Sequence, residues 1–141
     1  MTTDGPSQVG SLDPYSRQEA ETMAWSSGVE TGVNSEGGMN VCWINDGDSI
    51  QVKGVQFGTG ATLFNASVAS ALAGGNIDLR IGSLDGTLIE TCSVPGTGGW
   101  QTWTTVTCTI TGAVGIQDLF LYFSGNGSDP LFNVDWWQFS Q

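Results

Sequence analysis

The stretch NIDLRIG at residues 76–82 alternates apolar and polar side chains without a break. Ile77, Leu79 and Ile81 point to one face of an extended chain and the polar residues between them point to the other, because side chains alternate along a strand. Such a strand is typical of a sheet that covers a core on one face and meets solvent on the other. The stretch therefore predicts a half-buried β-strand.

Seven further runs show partial alternation of the same kind, and Gly, Pro, Asn or Asp separates most of them. They are MNVCWI (39–44), DSIQVKGVQF (48–57), ATLFNASVAS (61–70), TLIETCSV (87–94), QTWTTVTCTIT (101–111), IQDLFLYFSG (116–125) and LFNVDWWQFS (131–140). Short strands at roughly 8–12-residue spacing are typical of antiparallel sandwiches. The sequence therefore predicts an all-β fold, a two-sheet antiparallel β-sandwich. The nearly all-apolar LFLYF (119–123) predicts a central strand that is buried on both faces.

The length of 141 residues favours one domain, which we expect over residues 15–141 after a linker over residues 1–14. The linker is rich in Gly, Pro, Ser and Gln, and it lacks the basic start and apolar centre of a secretory signal. No apolar run approaches the roughly 18 residues that indicate a membrane-spanning helix. We expect the domain to belong to a longer chain.

The charge of the chain excludes several classes of function. There are 14 acidic and three basic residues, which give a formal net charge of −11. Phosphate backbones and anionic membranes call for a basic patch, so neither nucleic acid nor a membrane is an expected partner. There is no histidine, which excludes catalytic triads that use imidazole. An acidic surface of this kind suits a neutral partner or a cation.

The three cysteines, Cys42, Cys92 and Cys108, match no zinc-site spacing. If the segment between Cys92 and Cys108 is a hairpin, a cross-strand disulfide is one interpretation. The interpretation that we favour is that the cysteines are small buried apolar residues.

Four segments, taken in their order along the chain, resemble family 6 carbohydrate-binding modules. They are RQEAETMAWSSGVET (17–31), GGMNVCWINDGDSIQVKGVQFG (37–58), SLDGTLIETCSVPGTGGWQTWTTVTCTI (83–110) and FNVDWWQFS (132–140). The resemblance covers about residues 15–140, nearly the whole predicted domain. It implies a two-sheet jelly roll that is non-catalytic and is appended to xylanases and other plant-cell-wall hydrolases.

The resemblance also implies two potential sugar sites, a cleft formed by loops at one end of the sandwich and a concave sheet face. Trp43 and Trp100 match the two aromatic rings that face each other across the cleft, and Asn133 matches the asparagine at its floor. Apolar sugar faces suit aromatic plates, and an amide both donates to and accepts from neighbouring hydroxyls. The alternatives are that the tryptophans belong to the core and that Asn133 serves a turn.

The remaining tryptophans of these motifs are expected to divide between core and surface. Trp103 lies three residues after Trp100, and an odd separation in a strand puts two side chains on opposite faces. We therefore expect Trp103 in the core. Trp136 and Trp137 are adjacent, so one of them is expected in the core and the other on the sheet face or half-exposed.

A structural Ca²⁺ near the first and last strands is a further implication of the resemblance, with Glu19, Glu21 and Asp135 as its ligands. We interpret residues 17–22 as an extended segment. Glu19 and Glu21 then point to one side, where a cation relieves their repulsion. Backbone carbonyls of residues 34–38 are candidates for the remaining ligands. The alternative is three solvated surface carboxylates.

The resulting hypothesis is a monomeric, secreted bacterial module that binds xylan or a related β-linked polysaccharide and targets a covalently attached hydrolase to it. The alternatives are binding of β-glucan or cello-oligosaccharide on the sheet face, and a protein-binding adhesion module. Catalysis by the domain is not expected, because the sequence shows no catalytic constellation of carboxylates.

Overall fold

A computed structural model describes residues 12–20, 25–33, 39–125 and 129–141. These residues form eleven strands and no helix, and they therefore include no helix that could cross a membrane. The strands are β1 (Gln18–Glu19), β2 (Trp25–Ser27), β3 (Glu30–Val33), β4 (Met39–Cys42), β5 (Ser49–Gln56), β6 (Leu63–Ala69), β7 (Gly75–Ile81), β8 (Thr87–Val94), β9 (Thr104–Thr109), β10 (Ile116–Ser124) and β11 (Asn133–Ser140).

The strands pair antiparallel in two sheets. One sheet has the order β3-β4-β11-β6-β9, with β1 paired to β11, and the other has the order β2-β5-β10-β7-β8. The prediction of an all-β, two-sheet antiparallel sandwich is confirmed. β11 lies inside its sheet and runs from Asn133, at one end of the sandwich, to Ser140 at the other.

The core lies between the sheets and follows the two-residue repeat of the strands. Ile77 and Leu79 are fully buried, and Ile81 is half-buried against the core. The prediction that LFLYF (119–123) is buried on both faces is wrong. Phe120 and Tyr122 are only half-buried, because none of the described residues forms a layer over the outer face of the sheet around β10.

Aromatic rings fill one end of the core by edge-to-face contacts. Phe139 contacts Phe57 and Phe64 with ring centroids 5.1 Å apart in each pair, and it contacts Trp137 at 5.6 Å. Trp137 is buried, whereas its neighbour Trp136 is half-exposed. The expected division of these two tryptophans between core and surface is therefore confirmed.

The first described residues pack on the domain. Leu12 forms a parallel bridge with Val55, its N–H donates to the Gly54 carbonyl oxygen at 2.8 Å, and Pro14 is buried. Residues that we expected to belong to the linker thus contact the domain. The division of the chain after residue 14 stays a prediction.

A disulfide joins Cys92 to Cys108, with Cα atoms 5.9 Å apart. Our preferred interpretation, buried thiols, is therefore wrong for these two cysteines and applies only to Cys42, which is free and half-buried. The bond does not close a hairpin either. Cys92 lies on β8 and Cys108 on β9, and these are edge strands of different sheets. The disulfide thus joins the two layers of the sandwich.

Replacing both Cys92 and Cys108 by alanine is expected to lower the free energy of unfolding by about 3 kcal/mol, because a cross-link over about 15 residues restricts the unfolded chain to that extent. Urea denaturation followed by tryptophan fluorescence measures the change. Cys42→Ala, the control, is expected to change it by less than about 1 kcal/mol. Equal urea midpoints for the double variant and the wild type would contradict the role of the cross-link.

Candidate functional site

Trp43 stands out from the loop that follows β4. The residue is 57% exposed and its backbone is left-handed, with φ +55°, a conformation that costs a non-glycine residue roughly 1–2 kcal/mol. The next residue, Ile44, is fully buried, and its carbonyl oxygen accepts the Leu131 N–H at 2.7 Å. The chain therefore turns sharply at Trp43, so that Ile44 enters the core while the indole stays in solvent.

Trp100 lies in the loop that connects β8 to β9 and is 36% exposed. Gly98, with φ +93°, permits the turn before it. Thr97 anchors the loop to Ser70, because the Thr97 N–H donates to the Ser70 carbonyl oxygen at 2.8 Å and the Ser70 N–H donates to the Thr97 hydroxyl at 2.9 Å. The indole is thus presented on a tethered loop.

Asn133 begins β11 and is only 6% exposed. Its Nδ2 donates to the Trp100 carbonyl oxygen at 2.7 Å. This bond holds the amide against the aromatic loop and uses one of its donors. The second N–H and the carbonyl oxygen remain for a ligand.

Trp43, Trp100 and Asn133 line one open cavity of about 350 Å³, together with Cys42 and Pro130. The structure therefore brings together all three residues that the sequence assigned to sugar binding. Sequence reasoning missed Cys42 and Pro130. Each lies close in sequence to an assigned residue, but nothing in the pattern indicated that its side chain faces the cavity.

Cys42 contributes a neutral thiol to the cavity. Burial raises the pKa of this thiol. The negative charge of Glu30, which lies opposite Cys42 on the neighbouring strand β3, raises the pKa further. The thiol therefore stays protonated at neutral pH. The described residues that line the cavity make its walls mainly apolar, and none of them carries an ionised group, which suits a neutral ligand with apolar faces.

The expectation that Trp103 belongs to the core is wrong. It lies in the loop before β9, so the alternation rule does not apply, and its side chain is half-buried. Its Nε1 is buried without a hydrogen-bond partner among the described residues.

Two of the three residues assigned to Ca²⁺ lie together where β1 meets β11. The Ala20 N–H donates to the Asp135 carbonyl oxygen at 2.9 Å, and Asp135 is 2% exposed. The Arg17 guanidinium lies between the carboxylates, with Nε 3.0 Å from Glu19 Oε2 and Nη2 3.8 Å from Asp135 Oδ2. Its cationic end also lies 5.0 Å from the centroid of the Trp136 ring.

The rest of the assigned metal site lies outside the described residues, namely Glu21 and residues 34–38. Within the described part of the chain, no three acidic, cysteine or histidine side chains are grouped closely enough to hold a metal. The assignment of Glu19, Glu21 and Asp135 to Ca²⁺ therefore stays a prediction.

The sequence pattern of the family described as Carbohydrate binding module (family 6) matches residues 19–141. The chain belongs to this family. Family 6 modules are non-catalytic binding domains that occur within larger glycoside hydrolases, so the prediction that this domain is not an enzyme is confirmed.

One relative of this family 6 module is the arabinoxylan arabinofuranohydrolase of Bacillus subtilis (strain 168), which is 43% identical over 97% of the chain. The chain spans only 28% of that relative's length. Similar solved structures include a family 6 module from Clostridium cellulolyticum in complex with xylose (47% identity, TM-score 0.89, 92% of this chain and 100% of that one). Another is a β-1,3-glucan binding module from Bacillus halodurans (40% identity, TM-score 0.88, 92% and 98%).

The backbone of Trp43 leads to a prediction about stability. Trp43→Gly is expected to be more stable to urea than Trp43→Ala by about 0.5–1 kcal/mol, because glycine adopts a positive φ without steric cost. Both variants lose the same exposed indole. In the control pair at Thr91, an exposed residue within β8, the order is expected to reverse. An alanine variant as stable as the glycine variant would contradict the left-handed turn.

Proposed function

We propose that this family 6 module binds neutral β-1,4-linked xylan in the cavity between Trp43 and Trp100, with Asn133 hydrogen-bonding sugar hydroxyls. The observation that carries the proposal is the pair of exposed indoles on one cavity with an amide beside them. In this role, a sugar ring packs its C–H faces on the two indoles.

The energy of this contact is sufficient for a reversible tether. An indole side chain buries roughly 150–250 Å² when fully covered. If about half of each is covered, at about 25 cal/mol per Å², the pair contributes on the order of 4–5 kcal/mol before ordering costs. The contact with the two indoles alone thus corresponds to an affinity in the millimolar range, and hydrogen bonds from Asn133 add to the affinity and fix the orientation of the sugar.

The choice of xylan is supported by the relatives. The 47% identical module was solved with xylose, and the 43% identical relative is an arabinoxylan arabinofuranohydrolase. The 40% identical β-1,3-glucan binding module makes β-glucan the alternative ligand. The net charge of −11 favours an uncharged polysaccharide in either case.

The proposed biological role is targeting. As part of a longer hydrolase chain, a monomeric module of this kind keeps the attached catalytic domain near insoluble substrate and raises its effective concentration there. Plant-cell-wall polysaccharide lies outside the bacterium, so the site of action is proposed to be extracellular. A disulfide between the sheets is in keeping with an oxidising environment.

Isothermal titration calorimetry with xylohexaose, cellohexaose and a β-1,3-linked glucan hexaose tests the binding proposal. The wild type is expected to bind xylohexaose most tightly, and Trp100→Ala is expected to lose this binding while its urea midpoint stays close to that of the wild type. Trp136→Ala removes a half-exposed indole elsewhere and serves as the matched control. Xylohexaose affinity that survives Trp100→Ala would contradict the cavity as the site, and preference for the glucan would contradict xylan as the ligand.

We also propose that Ca²⁺ binds where β1 meets β11, held by Glu19, Glu21 and Asp135. The residues suit the ion because Ca²⁺ prefers carboxylate oxygens as ligands. Asp135 is a nearly fully buried carboxylate on β11, next to the strand that carries Glu19. The ion would fasten the first strand to the last and take no direct part in sugar binding.

Removal of Ca²⁺ with EDTA is expected to lower the melting temperature of the wild type, because an ion at about 100 times its Kd adds about 2.7 kcal/mol to the free energy of unfolding. Asp135→Asn is expected to melt at the same temperature with Ca²⁺ and with EDTA. Asp13→Asn, which makes the same charge change elsewhere, should keep the wild-type response. A wild type that melts equally with Ca²⁺ and EDTA would refute the metal site.

A further inference from the structure

Cys42 lines the cavity proposed to bind xylan, but the proposed function gives this residue no role. It is the last residue of β4. The antiparallel register that pairs Val134 with Val41 brings Asn133 opposite Cys42 at the next step of the two strands. Residues that lie directly opposite each other on neighbouring strands have Cβ atoms about 4.5–5.5 Å apart. Cys42 therefore borders the amide that is proposed to bind sugar hydroxyls.

A glycine on the neighbouring strand makes room for the Cys42 thiol. Gly32 lies on β3, and a Cβ atom placed on it would come 3.2 Å from Cys42 Sγ. Among the described residues, apart from those adjoining Gly32 in the chain, no other heavy atom lies within 4 Å of that Cβ position. The φ of Gly32 is not positive, and the residue pairs with Asn40 in the ladder of β3 and β4, so the backbone itself does not require a glycine.

The contact between Gly32 and Cys42 determines how far the thiol extends into the cavity. A separation of 3.2 Å is shorter than the roughly 3.5–4.0 Å of an ordinary non-bonded contact, so a methyl group at position 32 would displace the sulfur. The space on the other side of the thiol is the cavity. Glycine at this position therefore keeps the sulfur withdrawn from the sugar.

Hydrogen bonds hold the other walls of the cavity in place. Pro130 forms one of them, and the next residue, Leu131, donates its N–H to the Ile44 carbonyl oxygen at 2.7 Å. The Leu131 carbonyl oxygen accepts the Ser70 hydroxyl at 2.6 Å, and Ser70 also anchors the loop of Trp100. A change in the volume of the thiol therefore changes the shape of the cavity, because the neighbouring walls do not move to compensate.

Xylose and glucose units differ at one substituent. A glucopyranose carries a hydroxymethyl group on C5, where a xylopyranose carries only hydrogen. In an apolar pocket of fixed shape, a single methylene group discriminates between ligands by roughly 10- to 200-fold, and forcing extra atoms into a filled space is unfavourable. The position of one wall atom is therefore sufficient to select between the two sugars.

We infer that the Cys42 thiol, held back by Gly32, is the wall that admits a xylose unit between Trp43 and Trp100 and disfavours the hydroxymethyl group of a glucose unit. The inference rests on the proposed binding of xylan and deepens it, because it names the residue that selects a pentose over a hexose. Cys42 acts here through its volume and position, and it makes no hydrogen bond that the ligand needs.

Calorimetry with xylohexaose and cellohexaose on the wild type and on Cys42→Ala tests the inference. The wild type is expected to favour xylohexaose. Removal of the sulfur is expected to raise the affinity for cellohexaose, relative to that for xylohexaose, by about 3- to 10-fold. Cys42→Ser keeps one heavy atom in the place of the sulfur and is the matched control, whose affinity ratio should stay within about 2-fold of the wild type. The urea midpoint of each variant checks that the fold is retained.

A double-mutant cycle tests the part played by Gly32. Gly32→Ala is expected to weaken xylohexaose binding by about 3-fold and cellohexaose binding by more, because the displaced sulfur narrows the cavity. In the Cys42→Ala background, the same substitution is expected to change either affinity by less than about 2-fold, because no sulfur is left to displace. This dependence on Cys42 separates a positioning role of Gly32 from a general effect on the strand.

An affinity ratio that is the same in the wild type and in Cys42→Ala would overturn the selective role of the thiol and leave the xylan proposal standing. A cellohexaose gain in Cys42→Ser but not in Cys42→Ala would assign the selection to hydrogen bonding and overturn the steric role. Equal losses from Gly32→Ala in both backgrounds would overturn the role of Gly32. A wild type that binds neither hexaose would instead overturn the proposed function and this inference together.

Discussion

The bond from Asn133 to the Trp100 carbonyl oxygen is the contact on which the arrangement of the binding site depends. It joins the start of β11, inside one sheet, to the loop that leaves the edge of the other sheet. The Trp100 loop is also tethered through Thr97 to Ser70. Since Asn133 is nearly buried, the bond also satisfies an amide that is costly to leave unpaired.

The rest of the cavity is built in the same way, with exposed aromatic rings on a rigid backbone. The indoles of Trp43 and Trp100 lie on loops whose neighbouring residues are anchored in the core or by backbone hydrogen bonds. Trp137, by contrast, is buried and packs against the ring of Phe139. The same residue type thus has two uses, and the backbone of the segment decides between them. A preformed surface of this kind loses little conformational entropy when it meets a stiff polysaccharide.

The strands and the family were predictable from the sequence, because a two-residue repeat is local and the binding motifs are short and contiguous. The orientation of loop residues was not. Trp103 was assigned to the core by a rule that holds within strands, whereas it precedes β9. The link between Cys92 and Cys108 was also beyond reach, because it depends on which strands become the edges of the two sheets. Likewise, β10 is buried on one face only because its sheet stacks on the other sheet with that face. An apolar run does not show how many of its faces other layers cover.

The course of β11 determines how the domain carries mechanical load. In the proposed function, a polysaccharide bound at Asn133 pulls at the start of this strand, and a force applied at Ser140 opposes that pull at its end. Tension then acts along the strand axis, so the ladder between β11 and β6 is loaded in shear and its hydrogen bonds share the force. A hairpin pulled apart from one end breaks its bonds one after another. The placement of the cavity at the opposite end of β11 from Ser140 therefore suits a domain that stays folded when force acts between the two ends of this strand.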